Sequence, residues 1–436
     1  MRAAMNNMGF ENIPQWLQNN WHEHSQGPQP EWMKHFRQHH WDAFYQHGLP
    51  TRKNERFKYI DFDFLNHQQF SLANDVDIDS VSDMINQYRL RKEETILLVS
   101  VNGRFMPTLS DMAKLKDNVI ACRLEQAYEA HQELITSCRH DAAKYPFASL
   151  NAAMNVDGLF LFVPDNCQLT KSIHLLSIVI DAKNSIAHPR SLILLGQNSK
   201  LSLVEEHFSL AEYDYMMNRL STIVVGKQAE LTHYKIQQEG KQAVHIANTF
   251  VMQMQDSKTQ FTNFTTGGAF TRDDLIVKLQ ERGATCQTAG FYHLISDNQF
   301  VDYHVDIDHV ASSSQSEMLY KGILDNKSRA VFNGKVHVAK DAQKTVAYQA
   351  NHNLLLSKEA EIYSTPILEI YADDVKCKHG ATVGQLDPSA LFYLRSRGIE
   401  EKEAINILLQ GFAEEIFQRV THPGIKLRVQ EMVQSL

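Results

Sequence analysis

The chain has 436 residues, of which 43% are hydrophobic and 22% charged, and its formal net charge is −8 at pH 7. That is enough material for two or three domains or one elongated solenoid, and the acidic balance excludes nucleic acid as the main partner, since phosphate binding needs a basic stripe. Five cysteines, at 122, 138, 167, 286 and 377, are scattered without any C-x-x-C spacing, which suits a reducing compartment and excludes a zinc finger or a self-contained Fe–S motif.

In chain order, residues 1–20 hold no apolar signal core, and no apolar run approaches twenty residues. A cytoplasmic protein without a membrane span is expected. The stretch that follows is rich in aromatic and histidine residues, among them Trp16, Trp21, His22, His24, Trp32, His35, Phe36, His39, His40, Trp41, Phe44 and His47. Pairs such as Trp32/Phe36 and Trp41/Phe44 fit amphipathic helices, broken at Gly27-Pro28-Gln29-Pro30. The histidines lack a fixed ligand spacing, so they read as solvent- or partner-facing rather than as a metal tract. Gly48-Leu49-Pro50 ends this helical part. The basic residues behind it, Arg52, Lys53, Arg56 and Lys58, read as solvated loop charge. Residues 95–101 form an apolar run expected as a buried strand, with Asn102-Gly103 a tight turn, and 111–140 carry helical spacing.

From about residue 155 the texture changes to short strand-like runs at 159–163, 173–180, 192–195, 201–204, 222–225, 231–237, 249–254 and 260–264. Polar punctuators separate them, such as Gly196-Gln197-Asn198-Ser199-Lys200 and Gly226-Lys227-Gln228-Ala229-Glu230. The repeat is too irregular for a strict hexapeptide helix, and a sandwich, a barrel or a solenoid all remain open on this pattern. Alternation of Leu231, His233 and Lys235 with Thr232, Tyr234 and Ile236 gives each strand two distinct faces.

At 371–387 the chain reads Tyr-Ala-Asp-Asp-Val-Lys-Cys-Lys-His-Gly-Ala-Thr-Val-Gly-Gln-Leu-Asp. Cys377 and His379 are two apart, which on a strand puts a thiol and an imidazole on one face. Both are candidate ligands for iron or zinc, although two ligands do not close a site. The run, with 391–399 behind it and the Gly-x-Pro-x-x-Lys-x-Glu-x-aromatic-Lys-Tyr wording at 48–59, resembles the SufB/SufD family of iron–sulfur cluster assembly proteins. Its wording is that of the SufD branch: SufB has Glu-His-Glu-Ala-Thr where this chain has Cys-Lys-His-Gly-Ala-Thr.

The resemblance implies a mainly β protein. Its right-handed parallel β-helix core (155–385) would lie between an N-terminal helical and mixed domain (1–154) and a C-terminal helical domain (386–436). It implies a scaffold without enzymatic activity of its own, paired with a SufB-type subunit and docked through 386–436 on a SufC-type ABC ATPase. His379, with Cys377 ranked below it, would be an interfacial ligand for iron or a nascent cluster. Reduced flavin in the complex and a homodimer of the isolated chain are compatible with it. The alternatives are the SufB paralogue and a polysaccharide-active β-solenoid enzyme.

Other motifs carry less. His304, Asp306 and Asp308 share a strand face and could form a hard-ligand trio, but they read more simply as a polar outer surface. Gly334-Lys335 lacks the preceding glycine and the following Ser or Thr of a phosphate loop, and no G-x-S-x-G or H-E-x-x-H is present. In the tail, Asp387-Pro388 starts a helix and Gly398 ends it. Ile405, Leu408, Leu409, Phe412, Ile416 and Val420 form one stripe of a second helix. A third carries Ile425, Val429, Met432, Val433 and Leu436.

Overall fold

The computed structural model describes residues 13–73, 81–91, 93–116, 118–136, 144–180, 182–209 and 213–434. Two long sheets form the core. The first holds, in spatial order, β4 (Ile120–Arg123), β5 (Gly158–Val163), β8 (Arg190–Leu195), β10 (Tyr215–Val225), β12 (Ala243–Gln253), β14 (Phe270–Leu279), β16 (Phe300–His309), β18 (Arg329–Val338) and β20 (Glu361–Ile370). Beside β10 it also takes β7 (Ser185–Ala187), which pairs with β1 (Ser71–Leu72).

The second sheet holds β3 (Arg104–Phe105), β2 (Thr95–Val101), β6 (Ser172–Val179), β9 (Lys200–Ser209), β11 (Glu230–Gln238), β13 (Lys258–Thr265), β15 (Thr285–Leu294), β17 (Gln315–Leu324), β19 (Val346–Leu355) and β21 (Lys376–Gly384). From β8 onward the chain places strands alternately in the two sheets, and from β5 onward neighbours within a sheet are parallel. This is a parallel β-helix, with the antiparallel pairs β2–β3 and β4–β5 at its first end. Strands β2, β3 and β4 precede residue 155 in sequence and nevertheless join these sheets.

One corner of the coil explains both the repeat and its irregularity. Asn166, Asn198, Gln228, Asp256, Gly283, Ser313 and Lys344 all have positive φ. Each donates its backbone N–H to a carbonyl of the next coil, as Asn198 does to Lys227 at 2.8 Å and Lys344 does to Asp374 at 2.6 Å. A residue in the left-handed region turns the chain in the least space, and Asn, Asp and Gly enter that region at the lowest cost. The sequence period is therefore one whole coil, containing a strand from each sheet, and not a short strict repeat.

Several strands extend beyond the runs legible in the sequence. The cause is a polar stretch inside the coil. Glu205 is buried against Arg219 and His233, and Lys235 donates to Asp273 at 2.9 Å. These inward charges interrupt the apolar alternation while being satisfied by one another. The helical spacing of 111–140 is a second departure. Residues 120–123 are strand β4, paired with β5, and the helical pieces among the described residues are a 3-10 turn at Met112–Lys114 and the short helices α4 (Leu124–Ala130) and α5 (Gln132–Thr136). Residues 137–140 lie outside the described residues. Pairing partners overrode local propensity there.

The outer faces of the two sheets are covered by opposite ends of the chain. On the first sheet lie α1 (Gln15–Gln26), α2 (Glu31–His47) and α6 (Pro146–Met154). Their Trp16, Leu17, Phe44 and Phe147 meet Ile186, Met216, Ile246 and Phe270. Arg56 fastens this layer. It donates to Asp274 and Asp306 at 2.6 Å each and is only 24% exposed, so it is a structural ion-paired residue and not the solvated loop charge expected. Asp306 is thereby spent on Arg56, His304 lies 3.1 Å from Asp302, and Asp308 contacts His337 at 2.7 Å. Each member of the trio on β16 is thus taken up by a separate partner, and His304 is buried and not on a polar outer surface.

The second sheet is covered by α8 (Glu401–Phe417) and α9 (Pro423–Gln434). Leu409, Ala413, Ile416, Phe417, Val420, Ile425 and Val429 close over Tyr234, Ile236, Phe264, Phe291 and Leu319. In chain order α7 (Pro388–Ser396) links β21 to this layer; it has no buried residues and is capped by Asp387, which accepts from the Ser389 N–H at 2.9 Å. A short helix, α3 (Ser82–Tyr88), lies near the first coils.

Candidate metal-ligand site at the open end

The last coil has no successor. Among the described residues β21 pairs with β19 alone and β20 with β18 alone, so both sheets end there in an edge carrying unpaired backbone donors and acceptors. Such edges pair readily with another chain. Apolar side chains surround this end: Tyr371 is 63% exposed and Val383 52%, with Ile370 and Tyr363 also exposed.

His379 and Cys377 stand on β21 as the spacing predicts, on one face and about 6.6 Å apart along the strand. Register shows which face. Cys377 aligns with Ala347, and His379 with Gln349. Ala347 and Gln349 are both buried inside the coil, so the two candidate ligands point along the interior column. His379 is nonetheless exposed, because no further coil covers the column. An inward position at an open end becomes a surface position.

The two ligands differ in readiness. The Gln349 amide satisfies both its ends when its nitrogen donates to the Gly334 carbonyl (3.1 Å) and its oxygen accepts from the Ile367 N–H (3.3 Å). That oxygen then faces His379 Nδ1 at 3.5 Å, favouring the proton on Nδ1 and leaving the Nε2 lone pair free for a metal. Cys377 is half-buried in a small apolar cluster with Val336, Ala347 and Val375. Burial pushes its thiol pKa up, so at neutral pH it is a thiol and not the thiolate that binds metal. Among the described residues no group of three or more His, Cys, Asp or Glu side chains is placed to hold a metal ion. Closing a coordination sphere on His379 requires ligands from elsewhere.

The tail is arranged differently from its sequence pattern. The stripe with Leu409 and Ile416 is consumed in covering the second sheet. Adjacent exposed aromatics stand on α7, where Phe392 is 74% exposed and Tyr393 is also exposed, while single apolar side chains, Ile407 on α8 and Leu427 on α9, are exposed as well.

A two-sheet parallel β-helix with helical layers on both outer faces and an exposed imidazole on a free edge places the chain in the β-solenoid class of proteins. Comparison with known proteins assigns the family. The family model described as "SUF system FeS cluster assembly, SufBD core domain" matches residues 178–412, and that described as "SufBD protein N-terminal region" matches 17–175. An iron–sulfur cluster assembly SufBD family protein of Synechocystis sp. is 30% identical over 403 residues, covering 88% of this chain and 87% of that one. The iron–sulfur cluster assembly protein SufD of Escherichia coli is 30% identical over 396 residues, 90% of each chain. SufD of Bacillus subtilis is 25% identical over 418 residues, 93% of this chain and 94% of its own. The chain belongs to the SufB/SufD family of iron–sulfur cluster assembly proteins and is SufD-like within it.

No helix among the described residues is long and apolar enough to cross a membrane.

Proposed function

We propose that this chain is the SufD-type subunit of a cytoplasmic SufB–SufC–SufD scaffold. It acts by binding and by transmitting motion, without an enzymatic activity of its own. In this reading 1–154 is the head, 155–385 the coil and 386–436 the ATPase-docking domain. The free edge of β21 meets a SufB-type partner, and His379 enters a coordination sphere that the partner completes around iron or a nascent cluster. Cys377 is a subordinate ligand that must lose its proton first. A SufC-type ABC ATPase grips the tail through the exposed side chains of α7. Reduced flavin, where present, belongs to the assembled complex, and the same free edge would support a homodimer of the isolated chain.

One observation carries this reading: an exposed imidazole, with at most one companion ligand, sits on an unpaired strand edge ringed by apolar side chains. An incomplete metal site at a sticky edge is what a shared site looks like from one side. The experiment is co-expression with SufB- and SufC-type partners under anaerobic conditions. His379→Ala should leave the complex intact by size-exclusion chromatography while lowering bound iron and sulfide and the visible absorption of the cluster. Normal cluster content in that variant would remove His379 from the site. Failure of the chain to retain either partner would remove the scaffold reading.

A further inference from the structure

At the other end of the coil, far along the sheets from His379, a cavity of about 260 Å³ opens between the α1–α2 turn, α4 and the first strands. Its wall gathers His24, Arg37, Arg104, Arg123, Tyr128 and Asp157 from six separate segments. Arg37 lies on α2 and points into the turn that precedes it. Its Nη1 donates to Gln29 Oε1 at 2.5 Å and its Nη2 to the Asn155 carbonyl at 2.6 Å. Both acceptors are neutral, and among the described residues no carboxylate forms an ion pair with Arg37. Burial lowers its pKa despite the opposing influence of Tyr128 and of Glu125, which is exposed at the rim. A half-buried guanidinium whose direct acceptors are all neutral, with its nearest counter-charge at the rim, leaves positive potential in the cavity for an anionic ligand.

Two further groups in the wall are incomplete. His24 is held neutral, its pKa brought down to about 4 by burial and then by the charge of Arg37. Its Nε2 has no hydrogen-bond partner. Asp157 is 3% exposed; its Oδ2 accepts from Arg123 Nε at 2.8 Å, while its Oδ1 has no partner. Buried polar atoms are normally paired, so unpaired ones that line a cavity mark where a ligand would supply the missing bonds.

We propose that this cavity binds a small molecule bearing an oxyanion head, phosphate or carboxylate, together with a hydroxyl or ammonium donor. The Arg37 fork takes the oxyanion and His24 Nε2–H donates to it, while Asp157 Oδ1 accepts from the ligand's donor group. The mouth is backed by Tyr128, against whose ring Trp32 packs edge-on at 5.1 Å. The volume suits a metabolite of a few carbons. The site is independent of the cluster-assembly reading, since it lies in the head and uses none of the residues of the open end.

Isothermal titration of the full chain with inorganic phosphate, O-phospho-L-serine and L-malate, at constant ionic strength set with potassium chloride, tests it. At least one probe should bind saturably at one site per chain. Arg37→Gln should weaken that binding roughly tenfold or more, the loss expected for one charge-assisted contact, with partial recovery in Arg37→Lys. His379→Ala should leave it unchanged. In an NMR pH titration of the wild type, the bound probe should raise the His24 pKa from its low value, a response that a purely structural histidine would not give. Absence of saturable binding with all three probes overturns the proposal, as does undiminished binding in folded Arg37→Gln. Should that variant fail to fold, an unmoved His24 titration in the wild type overturns it instead.

Discussion

Arg428 on the last helix donates to Glu206 Oε1 at 2.5 Å, joining residues 222 positions apart. Glu206 Oε2 meets His174 Nε2 at 3.0 Å, and the glutamate side chain is 1% exposed. The tail is therefore tied into the wall of the coil by a charge as well as by its apolar stripe. Removing the cation leaves a carboxylate buried with only a histidine beside it. Arg428→Ala should destabilise the chain by about 3 kcal/mol, because breaking a buried pair costs far more than the pair gains when intact. Urea unfolding of the two proteins would measure this, and a loss under ~1 kcal/mol would mean that α9 is held by packing alone.

Inside the coil, neighbouring turns fit by exchanging bulk. Tyr320 lies over Gly290, and Tyr292 lies over Gly322; a Cβ at Gly322 would stand 2.1 Å from a ring carbon of Tyr292. Tyr292 cannot retreat, since its hydroxyl bonds Asn353 Oδ1 at 2.5 Å and its ring packs on Tyr303. Gly322→Ala should therefore cost about 2 kcal/mol through overpacking. Gly322→Ala combined with Tyr292→Leu should recover part of that loss, as read by the urea midpoint. Equal stability of the single variant and the wild type would show that the ring has room to move.

Much of this architecture was legible in the sequence. The strand–turn texture after residue 155 and the helix break at Gly27-Pro28 declared themselves through local chemistry, as did the Asp387-Pro388 start. Pairing partners did not. Residues 120–123 read as helix because their β5 partner is distant in sequence, and 201–204 read short because Glu205 and His207 face the interior yet look like surface. His379 was found through the wording of its motif, since two ligands at strand spacing are weak alone. Its inward register could not be read, because only the absence of a following coil makes an inward residue accessible. Arg56 and Arg37 were missed for a related reason: each looks like loop or helix-surface charge until its distant partners, Asp274 and Asp306 for one and Asn155 for the other, are in place.

The exposed aromatics of α7 allow tail docking to be separated from tail folding. Phe392 and Tyr393 contribute nothing to the buried core, and α7 has no buried residues. Removing 388–436 would instead strip the cover from the second sheet, so deletion cannot report on docking alone. The double substitution Phe392→Ala with Tyr393→Ala should change stability by no more than ~0.5 kcal/mol, as for other exposed sites. It should sharply reduce retention of a SufC-type ATPase in pull-down from the co-expressed complex. Full retention would move the docking surface elsewhere.

Acid sensitivity should begin above the carboxylate range, and the buried histidines set its direction. Burial brings His309 and His293 down to about 4, and His188 and His207 down to about 3. In the unfolded chain each would titrate near 6.5. Between that value and the folded one the unfolded state binds a proton that the folded state refuses, so stability is lost as pH falls from about 6.5 toward 4. Each such group can add up to about 1.4 kcal/mol per pH unit to the slope. The carboxylates enter later: Glu239, lowered to about 2, contributes stability that is complete above its unfolded value near 4.3 and disappears as pH drops toward 2. Urea unfolding at pH 7.0, 6.0 and 5.0 should show a falling midpoint over the whole interval. His309 bridges Ser314 and Ser316 at 2.7 and 2.8 Å and touches no charged partner, so His309→Asn isolates its share. That variant should start lower at pH 7 and fall less steeply to pH 5. A slope identical to the wild type would mean that His309 takes up its proton within the folded chain, and that the coil opens locally to let it do so.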